Sequence, residues 1–384
     1  MLIYPGSVFA PAACMPLSFM IACGITVAGY LKRRNMFSFI ITGIAVIAVF
    51  SMVILVHECG HFFVARRMGV KVERFALGLG RVLVSKKVKG TEYALCLIPF
   101  GGYVKMAGDE PSGEVMKESY KYFGQAPGRR FWIIFAGAGL NYLLAFVIFC
   151  FVVPTAKVGL VVKDMPAYKA GIESGDKILS INGNRTEYWY QVLDTVSSNR
   201  DATTALRFQL ERKGETLEAV VIPEAASEAP ARKVRKIGIS SYGDVRFLKA
   251  APGRYIITGM KQTLSNTLLT YKFIWYLITG KIALKGSATG PVGIAVIIGR
   301  AINIGLAYLL YLIAHINLAL AIFNLLPLPV LDGGHILLLG IERIMKRPVS
   351  VKVQEVIQYV AIFFITLLFA TVTWNDITTW IIKK

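Results

Sequence analysis

His57-Glu58-Cys59-Gly60-His61 is the stretch of this sequence best equipped to do chemistry. On a helix its two imidazoles stand at i and i+4, one above the other on a single face. Two such nitrogens can share one zinc ion, with Glu58 beside them as base toward a water on the metal. Strings of the form H-E-x-x-H also arise by chance, and then the side chains are merely solvated. The preceding run decides between these readings. Met36 to Val56 is an uninterrupted apolar stretch, a helix of about 30 Å at 1.5 Å per residue. Ionisable groups at the end of such a helix are costly unless they face a cavity and bind something. A bound metal is the expectation.

A second stretch supplies what the first lacks. The apolar run from Leu306 to Leu326 ends in Asn324-Leu325-Leu326-Pro327-Leu328-Pro329-Val330-Leu331-Asp332-Gly333-Gly334-His335. Two prolines break the helix, and two glycines let the backbone bend sharply. Broken backbone at membrane depth is tolerated only where protein buries it or it lines a wet cavity. Asp332 suits a third ligand there, since two histidines, one carboxylate and an open fourth position make a catalytic zinc site. Its plainer role is a helix cap. Asp109, Glu110 and Glu342 read as carboxylates of charged loops. Of the remaining histidines, His315 reads as a hydrogen-bonded packing residue and His335 as a neighbour that orients the ligands. Cys59 points away from the histidine face. None of the five cysteines forms a C-x-x-C pair, so neither a disulfide framework nor a cysteine zinc site is indicated.

The elements that must hold these residues follow from composition. The chain has 384 residues, 55% hydrophobic, and a mean hydropathy of +0.56, too apolar for an ordinary soluble enzyme. The net charge of +20 comes without the aromatic-interleaved basic module of a nucleic-acid binder. The basic residues instead flank apolar segments, as cytoplasmic loops beside anionic lipid do. Four spans are expected: Met36 to His57, Phe131 to Val153, Leu306 to Leu326 and Val356 to Trp374. Arg66 to Arg74, Arg129-Arg130 and Arg343 to Lys352 mark the inner side. Trp374 and Trp380 suit the outer interface. Residues 1–35 are an extension or an extra helix. The extension is favoured because Lys32-Arg33-Arg34 would otherwise lie outside.

Between the spans, Val82-Leu83-Val84, a Lys89-Gly90 turn and Tyr93 to Ile98 read as a β-hairpin closing on Pro99-Phe100-Gly101-Gly102-Tyr103. It is either a plain cytoplasmic hairpin or an edge strand able to pair with an extended substrate. In the second span Ala136-Gly137-Ala138-Gly139 permits close helix approach. Asn141 there either bonds between helices or orients substrate or a ligand. From Thr155 to about Ile239 the composition turns soluble. Gly159-Leu160-Val161-Val162, Pro166-Ala167, Ala170-Gly171-Ile172, Gly175 to Leu179 and Ile181-Asn182-Gly183 fall in the order seen in PDZ domains. Such domains bind extended segments by strand addition; a spacer that blocks access is a compatible reading. Tyr255 to Gly280, punctuated by polar residues, is expected at the interface as an amphipathic helix. Gly290 to Ile294 reads as a turn.

From Met36 onward the chain resembles the site-2 protease family of intramembrane zinc metalloproteases, in its bacterial regulator-of-sigma-E type with a single PDZ domain. The likeness rests on the H-E-x-x-H at His57, Asn324 through Gly333, Phe100 to Tyr103, Gly290 to Ile294 and the inserted domain. It implies His57, His61 and Asp332 as Zn2+ ligands and Glu58 as catalytic base. It implies that Asn324 holds unwound substrate, and that the hairpin with Gly101, Gly102 and Tyr103 receives it as a strand. The PDZ domain would filter substrates by size after a first cut outside the membrane. The implied partner is a single-span transmembrane protein, an anti-sigma factor or remnant signal peptide, besides membrane lipid. The implied location is the bacterial cytoplasmic (inner) membrane, with the PDZ-like domain on its outer side. Ala138 departs from the family's usual proline, and some relatives carry two PDZ domains.

The expected fold is a polytopic α-helical membrane protein of about four transmembrane helices, with a membrane-associated β-hairpin and one inserted PDZ-like α+β domain. After 1–35, residues 36–153 hold spans one and two with the hairpin, and 154–245 the PDZ-like domain. Residues 246–304 form the interfacial segment, and 305–384 hold spans three and four. Two other functions fit less well. A membrane-anchored PDZ peptide-binding module with a structural or vestigial metal site needs a fourth protein ligand, and no convincing one is present. A metal transporter needs more intramembrane carboxylates and histidines.

Overall fold

The apolar run at Met36 forms helix α1, Met36–Arg67, which continues unbroken past His57. The computed structural model describes residues 36–109, 118–198, 204–225, 235–241, 243–249, 251–281, 290–346 and 349–378. The expectations for residues 1–35, Glu110 and Trp380 lie outside the described residues.

Strands β1 (Val72–Val88) and β2 (Thr91–Met106) follow, joined at Lys89-Gly90. Both turn residues have positive φ, as do Gly78 and Gly80 in β1 and Gly101 in β2, where the strands bend. The bends curl the pair. Residues 74–77 pair with 92–95 on one side and with 102–105 on the other, while 82–88 pair with 91–96. Residues 102–106 are thereby an edge. β1 begins well before Arg81, where the sequence pattern changes, because Val72 and Ala76 are buried. Val72 packs with Phe62, Ala65 and Ile133, which holds the start of the strand against α1.

Helix α2, Pro127–Phe151, packs hard against α1. A β-carbon on Gly60 would lie 2.2 Å from the Ala136 carbonyl oxygen. Only small residues allow helices this close.

An α+β unit is inserted next. Its elements are β3 (Val152–Pro154), β4 (Val158–Val161), α3 (Pro166–Lys169), β5 (Lys177–Ile181), β6 (Asn184–Arg185), α4 (Trp189–Ser198), β7 (Leu206–Arg212), β8 (Glu215–Val221), β9 (Glu224–Ala225), β10 (Arg235–Lys236), β11 (Ile239–Ser241) and β12 (Val245–Phe247). A four-stranded sheet runs β6-β5-β7-β8, and β4 pairs with β11. Val158, Ile172, Ile178, Phe208 and Leu210 fill its core. β12 pairs antiparallel with β3 and so returns the chain to the end of α2.

Five helices follow among the described residues: α5 (Pro252–Ile278), α6 (Pro291–Ile304), α7 (Leu306–Asn324), α8 (Asp332–Met345) and α9 (Val351–Ile377). Among the described residues four helices are long and apolar enough to cross a membrane: Ile40–Arg67, Pro127–Phe151, Leu306–Asn324 and Lys352–Ile377. α5 is the segment expected as an amphipathic helix at the interface. It runs antiparallel along α2, with Gly259 against Cys150 and Thr267 at the Tyr142 hydroxyl. Gln262 Nε2 donates to the carbonyls of Phe149 and Val152 at 2.8 and 3.2 Å, which satisfies acceptors left over at the end of α2. The apolar side, with Met260, Leu264, Leu268 and Trp275, is exposed. Gly290, read as a turn, caps α6, a helix buried in the core with Phe50 and Leu312.

Candidate metal centre

Helical spacing places His57 and His61 on one face of α1, their rings edge to face with centroids 4.7 Å apart. Their Nε2 atoms are 3.1 Å apart. Asp332, the first residue of α8, brings Oδ2 within 3.4 Å of His57 Nε2 and 3.6 Å of His61 Nε2. The three residues are 2%, 9% and 7% exposed. No other group of three such side chains lies this close among the described residues.

Each of these three side chains has a physical support. His61 Nδ1–H donates to the Ile133 carbonyl at 2.8 Å, which leaves Nε2 with its lone pair free. His57 bonds to the Gly137 backbone. Asn324 places Nδ2 3.3 Å from His57 Nε2. Asp332 is set by the loop before it. Here the glycines act otherwise than the bend read from sequence. A β-carbon on Gly333 would lie 2.2 Å from Leu326 O, and one on Gly334 2.2 Å from Leu328 O. Both glycines let the loop pack onto the first turn of α8.

The donor set fits zinc. Tetrahedral donors at ~2.0–2.1 Å stand about 3.3 Å from one another, close to the three separations here. Asp332 Oδ2 is buried with no hydrogen-bond partner among the described residues, a costly state that a cation relieves. Burial pushes the Asp332 carboxyl up to about 6 against the opposing pull of His61. Three protein ligands leave a coordination position open.

Glu58 lies between the ligands and the edge of β2. It is 5% exposed and accepts a hydrogen bond from the Val104 backbone. A β-carbon on Gly102 would be 3.6 Å from Glu58 Cγ and 2.8 Å from the Ala76 carbonyl. The Gly101–Gly102–Tyr103 stretch is thus beside Glu58, with Gly101 at φ +88°. The side chain of Tyr103 turns to the sheet instead, its hydroxyl accepting from Arg74 Nη1 at 3.2 Å. Asn324 is fully buried, and its Oδ1 has no partner among the described residues.

The other candidates separate. His315 stacks edge to face on Phe149 and Tyr311, and its Nδ1–H donates to Tyr311 O. His335 stays outside the ligand group, with burial and then the charge of His61 holding its imidazole below the ordinary range. Cys59 is half-buried and apart. Asn141 is fully buried, and neither carboxamide atom has a partner among the described residues, so the interhelical bond read from sequence is not made. Glu342 is no loop residue: it lies on α8 and pairs with Arg130. Sequence reasoning also missed the seat that Gly60 and Gly137 make behind the histidines. The small-residue run from Ala136 was the signal for it.

The family model described as peptidase family M50 matches residues 45–368. A curated relative from Clostridium perfringens is 34% identical over 340 residues, covering 85% of this chain and 96% of its own. The zinc metalloprotease RasP of Geobacillus kaustophilus is 28% identical over 417 residues, covering 87% and 97%. A solved PDZ domain of an SdrC-like protein from Listeria monocytogenes matches 24% of this chain and 88% of its own at 21% identity, with a TM-score of 0.20.

Proposed function

The chain belongs to peptidase family M50, the site-2 protease family, and is a zinc metallopeptidase; from that premise we propose that it cleaves within the membrane. The substrate is the transmembrane segment of a single-span protein already trimmed outside, such as an anti-sigma factor or a remnant signal peptide. The location is the bacterial inner membrane, with the inserted PDZ-like unit on the outer side and the ligand group toward the cytoplasmic boundary. Arg66, Arg67, Lys71 and Arg74, just past the histidines, support that orientation.

The buried triangle of His57, His61 and Asp332, with Glu58 beside it, carries the reading. These three are the zinc ligands. Bound zinc supplies Lewis-acid polarisation of the scissile carbonyl and acidifies a water. Glu58 would be the base that accepts a proton from the attacking water and returns it to the leaving amine nitrogen. A substrate helix must unwind first, because its own hydrogen bonds shield the carbonyl. Residues 102–106 offer a strand edge beside Glu58 onto which the unwound segment can pair, and Asn324 Oδ1 is an acceptor for its backbone. A closed structural site would need a fourth protein ligand, and the group has three among the described residues.

The test is cleavage in membranes of a single-span reporter with its outer domain trimmed. Wild type and Glu58→Gln are compared, with zinc counted in both purified proteins. Cleavage by wild type alone, with zinc in both, is expected; no zinc in either protein sinks the assignment.

A further inference from the structure

The ligands come from helices with separate origins, His57 and His61 from α1 and Asp332 from α8. The 325–331 loop holds α8 at its start. Beyond that start the helix is thinly packed: its buried residues are Asp332, Gly333, Gly334 and Leu339, while Leu337, Ile344 and Met345 are exposed. Its polar attachment lies further on. Glu342 Oε1 accepts from Arg130 Nη2 at 2.6 Å, across 212 positions of sequence. The Arg130 side chain is 6% exposed and that of Glu342 24%. The guanidinium also lies over the Phe123 ring, 5.6 Å from its centroid.

Arg130 sits in the first turns of α2, two turns before Gly137, which backs both histidines. One ion pair thus ties the helix that seats His57 and His61 to the helix that begins with the third ligand. Position 342 is about 15 Å along α8 from Asp332 at 1.5 Å per residue, so the tie grips the end opposite the loop. The Tyr122 hydroxyl feels the charges at both ends of this arrangement. Burial raises its hydroxyl, Arg130 opposes this, and both Asp332 and Glu342 add to it.

We infer that Arg130 and Glu342 are a positioning pair for the metal centre: together they set the lie of α8 that brings Asp332 to the two histidines. The inference rests on His57, His61 and Asp332 being the zinc ligands. It concerns a salt bridge outside the ligand group, whose loss leaves a buried charge uncompensated and frees the far end of α8.

The experiment measures zinc affinity by chelator competition on the full-length protein in detergent, with thermal midpoints of the zinc-free proteins alongside. The proteins are wild type, Arg130→Met, Glu342→Gln, the exchange Arg130→Glu with Glu342→Arg, and Ile344→Ser as a control on exposed α8 surface. Each single variant is expected to weaken zinc binding about 10- to 100-fold, as loss of outer supports of metal ligands does. The exchange should recover most of that loss, and Ile344→Ser should bind as wild type. A general role in stability would instead lower the zinc-free midpoint while leaving affinity in the folded protein unchanged, and that result overturns the pair's role. If a single variant fails to fold, Arg130→Lys and Glu342→Asp are read by the same criterion. Wild type that binds no zinc at all overturns the ligand assignment itself, and the pair's role with it. Wild-type binding with unaffected variants overturns only the pair.

Discussion

Gly137 of α2 stands so close to His61 that a β-carbon on it would lie 2.4 Å from the imidazole Nε2, and 2.8 Å from Cε1 of His57. The small-residue run of the second span therefore does more than let two helices approach. It forms the surface on which both imidazoles rest. Gly137→Ala is expected to push the rings out of register, with an overpacking cost of about 1–3 kcal/mol and loss of zinc affinity. Gly139→Ala, whose added carbon meets only the Phe135 ring at 3.3 Å, should keep both. Zinc titration and thermal midpoints of the two variants measure this directly. Equal zinc affinity in both would show that the histidines do not depend on the seat.

The division of labour between Glu58 and the ligands predicts a second contrast. Glu58→Gln keeps a side chain of the same size beside Gly102 while removing the proton acceptor, so zinc content should match wild type and cleavage should vanish. Removing a base typically costs 10²–10⁴-fold in rate. His57→Ala and Asp332→Asn should lose the metal together with the activity. A Glu58→Gln protein that still cleaves removes Glu58 from the mechanism.

That His57 and His61 come together was legible in the sequence because helical periodicity puts i and i+4 on one face wherever the helix goes. Asp332 was legible because a carboxylate in a broken apolar segment needs a reason. Which turns of separate helices meet is not written in local pattern. Gly60 on Ala136 and Arg130 on Glu342 are tertiary facts, joined across long stretches of chain. The polar residues of α5 pointed to the membrane interface. In the fold Gln262 faces the carbonyls at the end of α2, a demand invisible without knowing that the two helices are neighbours. Asp376 did carry a signal that went unread, a carboxylate at the far end of the long uncharged run that begins at Val356.

That carboxylate closes the start of α6 from another helix. Asp376 is 1% exposed; Oδ1 accepts from Gly290 N at 3.0 Å and Oδ2 from Gly293 N at 2.8 Å. The first amides of a helix have no partner within it, and at a buried start they need one. The rest of α9 is largely exposed, from Val353 through Phe363 to Trp374, so this contact is a principal tie of α9 to the core. Asp376→Ala should destabilise the protein by about 1–3 kcal/mol, seen as a lower thermal midpoint. Asp376→Asn, which keeps one acceptor oxygen, should lose about half as much. An unchanged midpoint in Asp376→Ala would mean that α9 is held elsewhere.

The inserted unit carries its own pH dependence. Asp176 is 1% exposed and takes a two-pronged contact from Arg212, Nε to Oδ1 at 2.7 Å and Nη2 to Oδ2 at 2.8 Å. Glu173 N donates to Oδ2 at 2.9 Å. Burial works to raise the Asp176 carboxyl, but the Arg212 guanidinium and the Glu173 amide outweigh it and hold the group below its ordinary value. A carboxyl whose pKa is lower folded than unfolded contributes stability that is complete above the unfolded value of about 3.9. That contribution is lost as pH falls through the folded value. Stability from this pair should therefore be flat from pH 7 to about 5 and decline below about 4. Asp176→Asn should cost about 2 kcal/mol at pH 7, in the range for hydrogen bonds to charged groups, and should flatten the decline in acid. Trp189, buried in this unit at 9% exposure, can report it in full-length protein whose remaining tryptophans are replaced by phenylalanine. Denaturant midpoints from its emission at pH 7, 5 and 3.5 would decide the matter. If wild type and Asp176→Asn run parallel across the three, the pair does not set the acid limit of this unit.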